Sequence, residues 1–424
     1  MKIVYLHQYF RTPTMAGGTR SYEFARRMVE RGHQVHVITS DTGLSDAGPT
    51  GNRPGPTWRT SVEGGAVVHW ARVPYDNSMR YRDRLRAFGR FAWLAARRAS
   101  VLDQDVVLAT STPLSIALPA VYSARRKRVP MVLEIRDLWP EIPIALGALR
   151  SPLTRRAAWL LESWAYRNAR HVIALSPGMA DSISTRHPDR PVTVVPNGCD
   201  RELFADAERA GRTFRASTPW LGDRPLILYA GTLGLVNDLG YLVRMAAAMS
   251  GRHPEIRFVV VGRGGQQEHV RRLAAELGVL DRNLFMLDQV PKSEVVGLFG
   301  AADLAISTVI DDPTLHANSA NKVFDAWAAG CPVALNQEGW LADRVRASGA
   351  GVILPPGDPT TGAALAASFL AEPARTAAAR AAALRLAREE FDRDLLFQRL
   401  EDVLCQVVGA DQSSLVGASG GLPA

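Results

Sequence analysis

Pro225-Leu226-Ile227-Leu228-Tyr229-Ala230-Gly231-Thr232-Leu233-Gly234, running on into a helical stretch over residues 239–249, is the segment that decides the fold. A short apolar run passes through a glycine turn into a helix, which is how a β-loop-α unit of a parallel sheet begins. The same pattern opens the chain. Residues 3–6 read as a strand, Gly17-Gly18 lies in the following loop, and residues 19–31 read as a helix carrying Tyr22, Phe24, Ala25, Met28 and Val29. Gly32 stops that helix, and residues 35–38 form the next strand. Further strands are predicted at 66–70, 106–109, 131–135, 172–175 and 192–195, and after the restart at 258–261, 284–287 and 304–306. Alternating strands and helices imply an α/β chain with parallel sheets covered on both faces. The expected division is a Rossmann-like domain over 1–200, a linker over 201–224, a second Rossmann-like domain over 225–392, a helix over 393–410 and a flexible tail over 411–424. Ligands are expected in a cleft faced by the C-terminal ends of both sheets.

Length and composition agree with two domains. A chain of 424 residues exceeds one ordinary core, and 47% of it is apolar. Cys199, Cys331 and Cys405 are odd in number and far apart, which speaks against a disulfide framework and for a reducing cytosol. The apolar start of the chain is too short for a signal peptide, and no run approaches the about 20 apolar residues of a membrane span. The net charge of +8 is unevenly spread. Arg80, Arg82, Arg84, Arg86, Arg90, Arg97 and Arg98 crowd one stretch with Leu85, Phe88, Phe91, Trp93 and Leu94. Such a segment is either a basic helix for an anionic membrane surface or a solvated helix whose apolar side packs on the core. No nucleic acid is expected, because no nucleic-acid motif accompanies the charge.

Several patches then point to a family. Gly17-Gly18 with Arg31-Gly32-His33-Gln34-Val35, Pro196-Asn197-Gly198-Cys199-Asp200 with Phe204, Tyr229-Ala230-Gly231, Val261-Gly262-Arg263-Gly264, and Ala328-Ala329-Gly330-Cys331-Pro332-Val333 occur in one order. In that order they resemble the retaining glycosyltransferases of family 4, which have the GT-B fold. Arg136-Asp137-Leu138-Trp139-Pro140 is similar to a string in bacterial cell-surface polysaccharide and aminosugar transferases. The resemblance implies transfer of a sugar, UDP-linked and of the N-acetylhexosamine kind, from a nucleotide-sugar donor to a small-molecule or lipid-linked acceptor.

The residues have their own physical reasons for such work. Glycine loops between a strand and a helix offer free N–H groups and a positive dipole end to a diphosphate. Gly17, Gly18, Gly231 and Thr232 lie in two such loops. In Asn318-Ser319-Ala320-Asn321-Lys322-Val323-Phe324-Asp325, Lys322 stands where a helix begins and can reach the diphosphate as a point charge. By resemblance, Asp325 occupies the position of a glutamate that binds the donor ribose, and a carboxylate suits two hydroxyls. Eight positions earlier the family has a second glutamate for the sugar; here Ala317 stands there, which leaves Asn318, Ser319 or the backbone N–H groups of residues 318–321 for that task, with Asn321 a further donor-binding candidate. The arginine and lysine that family members place after the second-domain glycine are missing, Thr232, Leu233 and Asn237 standing in that region. The cationic role then falls to Lys322, to Arg263 or to Arg20.

In the first half, Arg136 and Asp137 end a strand that points toward the expected cleft and are the catalytic candidates, with a structural ion pair as their other reading. His7 ends the first strand. Asp103-Gln104-Asp105 precedes a strand instead of following one, and no His/Cys cluster has ligand spacing, so neither metal nor other cofactor is expected. The expected localisation is cytoplasmic or peripheral on the inner face of the cell membrane. A sugar-nucleotide epimerase of the same architecture, and a non-catalytic basic membrane- or nucleic-acid-binding protein, are the rival readings.

Overall fold

The computed structural model describes residues 1–42, 56–75, 79 and 81–419. The chain packs as two units, each built on one sheet.

The first sheet has eight strands: β1 (Lys2–Leu6), β2 (Gln34–Ser40), β3 (Trp58–Glu63), β4 (Ala66–Ala71), β5 (Val106–Thr110), β6 (Met131–Ile135), β7 (His171–Ala174) and β8 (Val192–Val194). Their order is β3-β4-β2-β1-β5-β6-β7-β8. All pairings are parallel except β3 with β4, an antiparallel hairpin at the edge that the sequence reading lacked. Strand order reverses between β1 and β5, so a crevice opens beyond their C-terminal ends. Those ends carry His7 and Ser111.

The second sheet repeats the arrangement with β9 (Leu226–Ala230), β10 (Arg257–Val261), β11 (Leu284–Leu287), β12 (Leu304–Ser307), β13 (Val333–Leu335) and β14 (Gly351–Ile353). Its order, β11-β10-β9-β12-β13-β14, is wholly parallel and reverses between β9 and β12. The strand centres are apolar because helices cover both faces; Ile227, Leu228, Val259, Val260 and Ile306 are all buried.

The structure redraws the expected boundaries. The first unit ends at Pro196 instead of residue 200 and includes the chain from Leu396 on. There Phe397 packs on Phe24 at 6.1 Å, and His33 Nε2 lies 2.9 Å from Glu401. The second unit takes Asn197–Leu395 and also Pro13–Gly18, the loop that carries Gly17-Gly18. The expected linker over 201–224 is a correction as well. It holds a helix, Ala207–Ala216, pressed against the helix Lys292–Ala301. Gly211 and Gly300 make that approach possible: a Cβ at Gly300 would sit 1.8 Å from the Ala207 carbonyl oxygen. Finally, the C-terminal helix runs Arg393–Ser419, so the tail expected from 411 begins as helix.

Candidate active site

In the second unit the site grows from the loop after β9. Gly262 and Gly264, after β10, allow this loop to lie directly on its neighbour: a Cβ at Gly262 would stand 1.9 Å from the Gly231 carbonyl oxygen, and one at Gly264 2.3 Å from that of Leu233. The Gly231–Gly234 turn is further braced at Thr232, whose carbonyl accepts from the Tyr229 hydroxyl (2.7 Å) and from Asn237 Nδ2 (2.9 Å). Asn237 is therefore a brace of the loop, its own carbonyl accepting from Thr308 Oγ1. Arg263 Nε lies 3.7 Å from Asp288 Oδ1 in an exposed ion pair, and the Arg263 carbonyl takes the Leu233 N–H.

Lys322 stands at this loop. It lies in the first turn of the helix Asn321–Ala328, where Ala320 offers no side-chain acceptor to the leading N–H groups. Its Nζ donates to the Tyr229 hydroxyl at 3.2 Å and sits 4.3 Å from the centre of the Tyr229 ring. The stem runs along Gly231, where a Cβ would meet Lys322 Cε at 2.9 Å. Burial pushes the Lys322 ammonium down to about 8. Among the described residues no carboxylate pairs with it. A cation so placed at a helix start suits an anion.

The remaining candidates gather around the same helix. Asn321 Nδ2 comes within 2.8 Å of where a Cβ of Gly18 would be, so Gly18 permits the Pro13–Gly18 loop to close on the helix start. Gly17 in that loop has φ 121°, open to glycine. Asn318 accepts from Trp340 Nε1 through its carbonyl at 2.9 Å. Ser319 accepts from Asn197 Nδ2 at 2.6 Å, also through its carbonyl, while Ser319 Oγ and Asn197 Oδ1 are buried without a partner. Asp325 is buried in an ion pair, Oδ2 to Lys292 Nζ at 2.5 Å. Burial raises its carboxyl above the ordinary range, opposed by Lys292. The sequence reading missed Lys292. Its only signal is a lysine directly after Pro291 at a helix start, far from Asp325 in the chain.

In the first unit, Arg136 follows β6. Its backbone N–H donates to Ser111 Oγ at 3.0 Å, and Nη1 lies 3.5 Å from His7 Nε2. Asp137 accepts from Thr112 Oγ1 at 2.9 Å and makes no ion pair with Arg136 among the described residues. The structural ion pair considered for these two residues is thus absent there. His7 is buried, and burial first, then the charges of Arg136, Arg11 and Arg20, hold it well below its ordinary value and therefore neutral. Arg20, offered from sequence as a phosphate cation, is corrected. It is wholly buried, paired with Glu134 at 2.8 Å and bonded to the carbonyls of Val195 and Pro196.

The basic segment is the helix Tyr81–Ala99; Arg80 lies outside the described residues. Ala87, Phe91, Leu94 and Ala95 are buried, so the apolar side of this helix packs on the core. The opposite face carries Arg82, Arg86, Arg90 and Arg97 together with Leu85 and Trp93, which are 49% and 57% exposed. Among the described residues no helix is long and apolar enough to cross a membrane.

A model of glycosyl transferase 4-like domains matches residues 16–198, and a model of glycosyl transferases group 1 matches residues 212–385. The D-inositol 3-phosphate glycosyltransferase of Thermobispora bispora is 31% identical over 207 residues, 47% of this chain and 46% of that protein. Glycogen synthase of Mycobacterium tuberculosis is 28% identical over 294 residues, 69% of this chain and 66% of that protein. The matched stretches thus span about half to two thirds of these relatives. Among solved structures, sucrose-phosphate synthase from Thermosynechococcus elongatus aligns with a TM-score of 0.73 at 16% identity, covering 96% of this chain and 99% of its own. Anabaena HepE, in complex with UDP and glucose, aligns with a TM-score of 0.68 at 19% identity, covering 96% and 99%.

Proposed function

The chain belongs to glycosyltransferase family 4, with the GT-B fold, and from that premise we propose that it transfers a sugar from a nucleoside-diphosphate donor to an acceptor hydroxyl with retention of configuration. The donor is a UDP-linked hexose of the N-acetylhexosamine kind, and the product belongs to surface-polysaccharide or secondary-metabolite synthesis. The observation that carries the reading is Lys322: a cation without a carboxylate partner among the described residues, braced by Tyr229 beside the Gly231 loop at an uncapped helix start. HepE, whose fold this chain shares, is described with UDP and glucose. Relatives named for inositol phosphate, glycogen and 2-deoxystreptamine support acceptors that offer a hydroxyl.

In this reading, Lys322 and the N–H groups of the helix start neutralise the charge that builds on the departing diphosphate. Asp325, paired with Lys292, accepts the ribose hydroxyls, and Asn318, Ser319 and Asn321 hold the sugar where Ala317 has no polar side chain. Gly17, Gly18, Gly231 and Thr232 let backbone approach the phosphates closely. The acceptor hydroxyl attacks from the face the diphosphate leaves, and a phosphate oxygen takes its proton, so no strong base is required. Arg136 and Asp137, in the first unit, order the acceptor. The exposed Trp93 and Leu85 among arginines support a place on the inner face of an anionic membrane, with a lipid-linked acceptor.

Calorimetry with UDP, GDP and their sugars tests the donor assignment. Binding of a uridine nucleotide, weakened in Lys322→Met, is the expected result. Absence of affinity for every nucleotide sinks the transferase reading, and interconversion of sugar nucleotides without an acceptor turns it into that of an epimerase.

A further inference from the structure

A chain of buried side chains joins the Arg20–Glu134 ion pair to Arg136, and the donor-binding argument uses none of its inner members. Glu134 Oε2 lies 2.9 Å from Thr110 Oγ1, Thr110 Oγ1 3.3 Å from the Tyr5 hydroxyl, Tyr5 3.1 Å from Ser21 Oγ, and Ser21 Oγ 2.8 Å from His7 Nδ1. His7 Nε2 then faces Arg136 Nη1. Tyr5, His7, Arg20, Ser21, Thr110 and Glu134 are all at most 2% exposed, so water does not stand in for any of these partners.

Proton counting gives this chain a direction. Burial by itself would raise the Glu134 carboxyl, yet Arg20's charge and hydrogen bonds bring it below the ordinary value, so it is ionised and only accepts. Thr110 has one proton and gives it to Glu134. The contact between Thr110 and Tyr5 then needs the phenol proton, and burial, aided by Glu134, pushes Tyr5 up to about 12, so that proton is retained. Tyr5 accepts in turn from Ser21, whose single proton is thereby used. Ser21 must accept from His7 Nδ1–H. The other imidazole tautomer has two faults. It leaves one hydroxyl contact without a proton, and it turns an Nε2–H onto a guanidinium N–H.

We propose that this one-way chain makes His7 the positioning residue for Arg136, holding the imidazole in its Nδ1–H form so that the Nε2 lone pair receives the guanidinium and aims it at the acceptor. The proposal rests on the reading of Arg136 as a site residue. Ser111, which accepts the Arg136 backbone N–H, fixes the main chain while His7 fixes the side chain.

Nitrogen-15 NMR of histidine-labelled protein tests it, with the His7 signals assigned by difference from His7→Asn. The expected signature at neutral pH is a protonated Nδ1 and an unprotonated Nε2. Ser21→Ala and Tyr5→Phe each cut the chain while changing little volume. Both are expected to mix the tautomers and to lower kcat about tenfold or more, with UDP affinity unchanged, and Ser21→Thr is expected to restore both readouts. A dominant Nε2–H form in the unaltered protein overturns the chain itself, as does wild-type tautomer and kcat in both cut variants. Wild-type turnover in Arg136→Ala, with the His7 signature intact, overturns the proposal through the Arg136 reading instead.

Discussion

Lys322 and Tyr229 meet twice, through the ammonium on the phenol oxygen at 3.2 Å and through the same ammonium over the ring at 4.3 Å. Because the Tyr229 proton goes to the Thr232 carbonyl, the phenol oxygen is free to accept from Lys322. One aromatic residue therefore ties the lysine and the glycine loop together, and the other ammonium protons remain for a ligand.

Removing that ammonium has a calculable effect. A hydrogen bond to a charged group is worth about 1.5–3 kcal/mol, so Lys322→Met is expected to weaken UDP binding by roughly tenfold to a hundredfold, and to lower kcat at least as much because charge grows on the leaving diphosphate. Calorimetry and initial rates check the two separately. Intact UDP affinity in the variant would remove Lys322 from the site.

The same lysine predicts a pH dependence. Its folded value is about 8, below the unfolded 10.5, so the unfolded chain binds the extra proton between them and stability from this group rises with pH across that window. Diphosphate binding runs the other way, since it needs the ammonium. The rise in Tm on adding UDP is expected to be larger at pH 7 than at pH 9. Lys322→Arg, which does not titrate there, should flatten the difference.

The buried pair in the first unit is expected to matter for folding. Glu134→Ala leaves the Arg20 guanidinium uncompensated in the core, which costs about 3–5 kcal/mol. A urea midpoint within error of the unaltered protein would contradict this. Gly300→Ala strikes the Ala207 carbonyl and should cost about 1–3 kcal/mol in the second unit by the same measurement.

The alternation of strands with helices made both sheets legible from the amino-acid order, because β1, β9 and β10 centre on apolar runs and each is followed by a glycine-bearing loop and a helix. The edge strand β3 buries none of its residues, with Arg59, Thr60 and Val62 exposed, and β13 and β14 have only three residues each, too short for a period. The helix Ala207–Ala216 hid because its contact surface is Gly211, not a row of large apolar side chains. For the proposed site, order alone offers Lys322 and the glycine loops as candidates. The roles of Asn237, Lys292 and Arg20 could not, because each depends on a partner brought close only by the fold: Thr232, Asp325 and Glu134.

The basic helix yields a prediction with two separable parts. Arg82, Arg86, Arg90 and Arg97 share an exposed face with Trp93 and Leu85, while the helix is held to the core by Phe91 and Leu94. Each arginine near an anionic surface contributes about 1 kcal/mol, so the triple change of Arg82, Arg86 and Arg90 to Gln should abolish flotation with anionic liposomes at physiological salt. Trp93→Ala should weaken flotation less, and to a similar extent at low and high salt, since its contribution is apolar burial. Neither set touches the buried face, so Tm and UDP affinity should stay unchanged. If the unaltered protein does not float with anionic vesicles at low salt, the arginines serve solvation alone, and the acceptor is a soluble molecule.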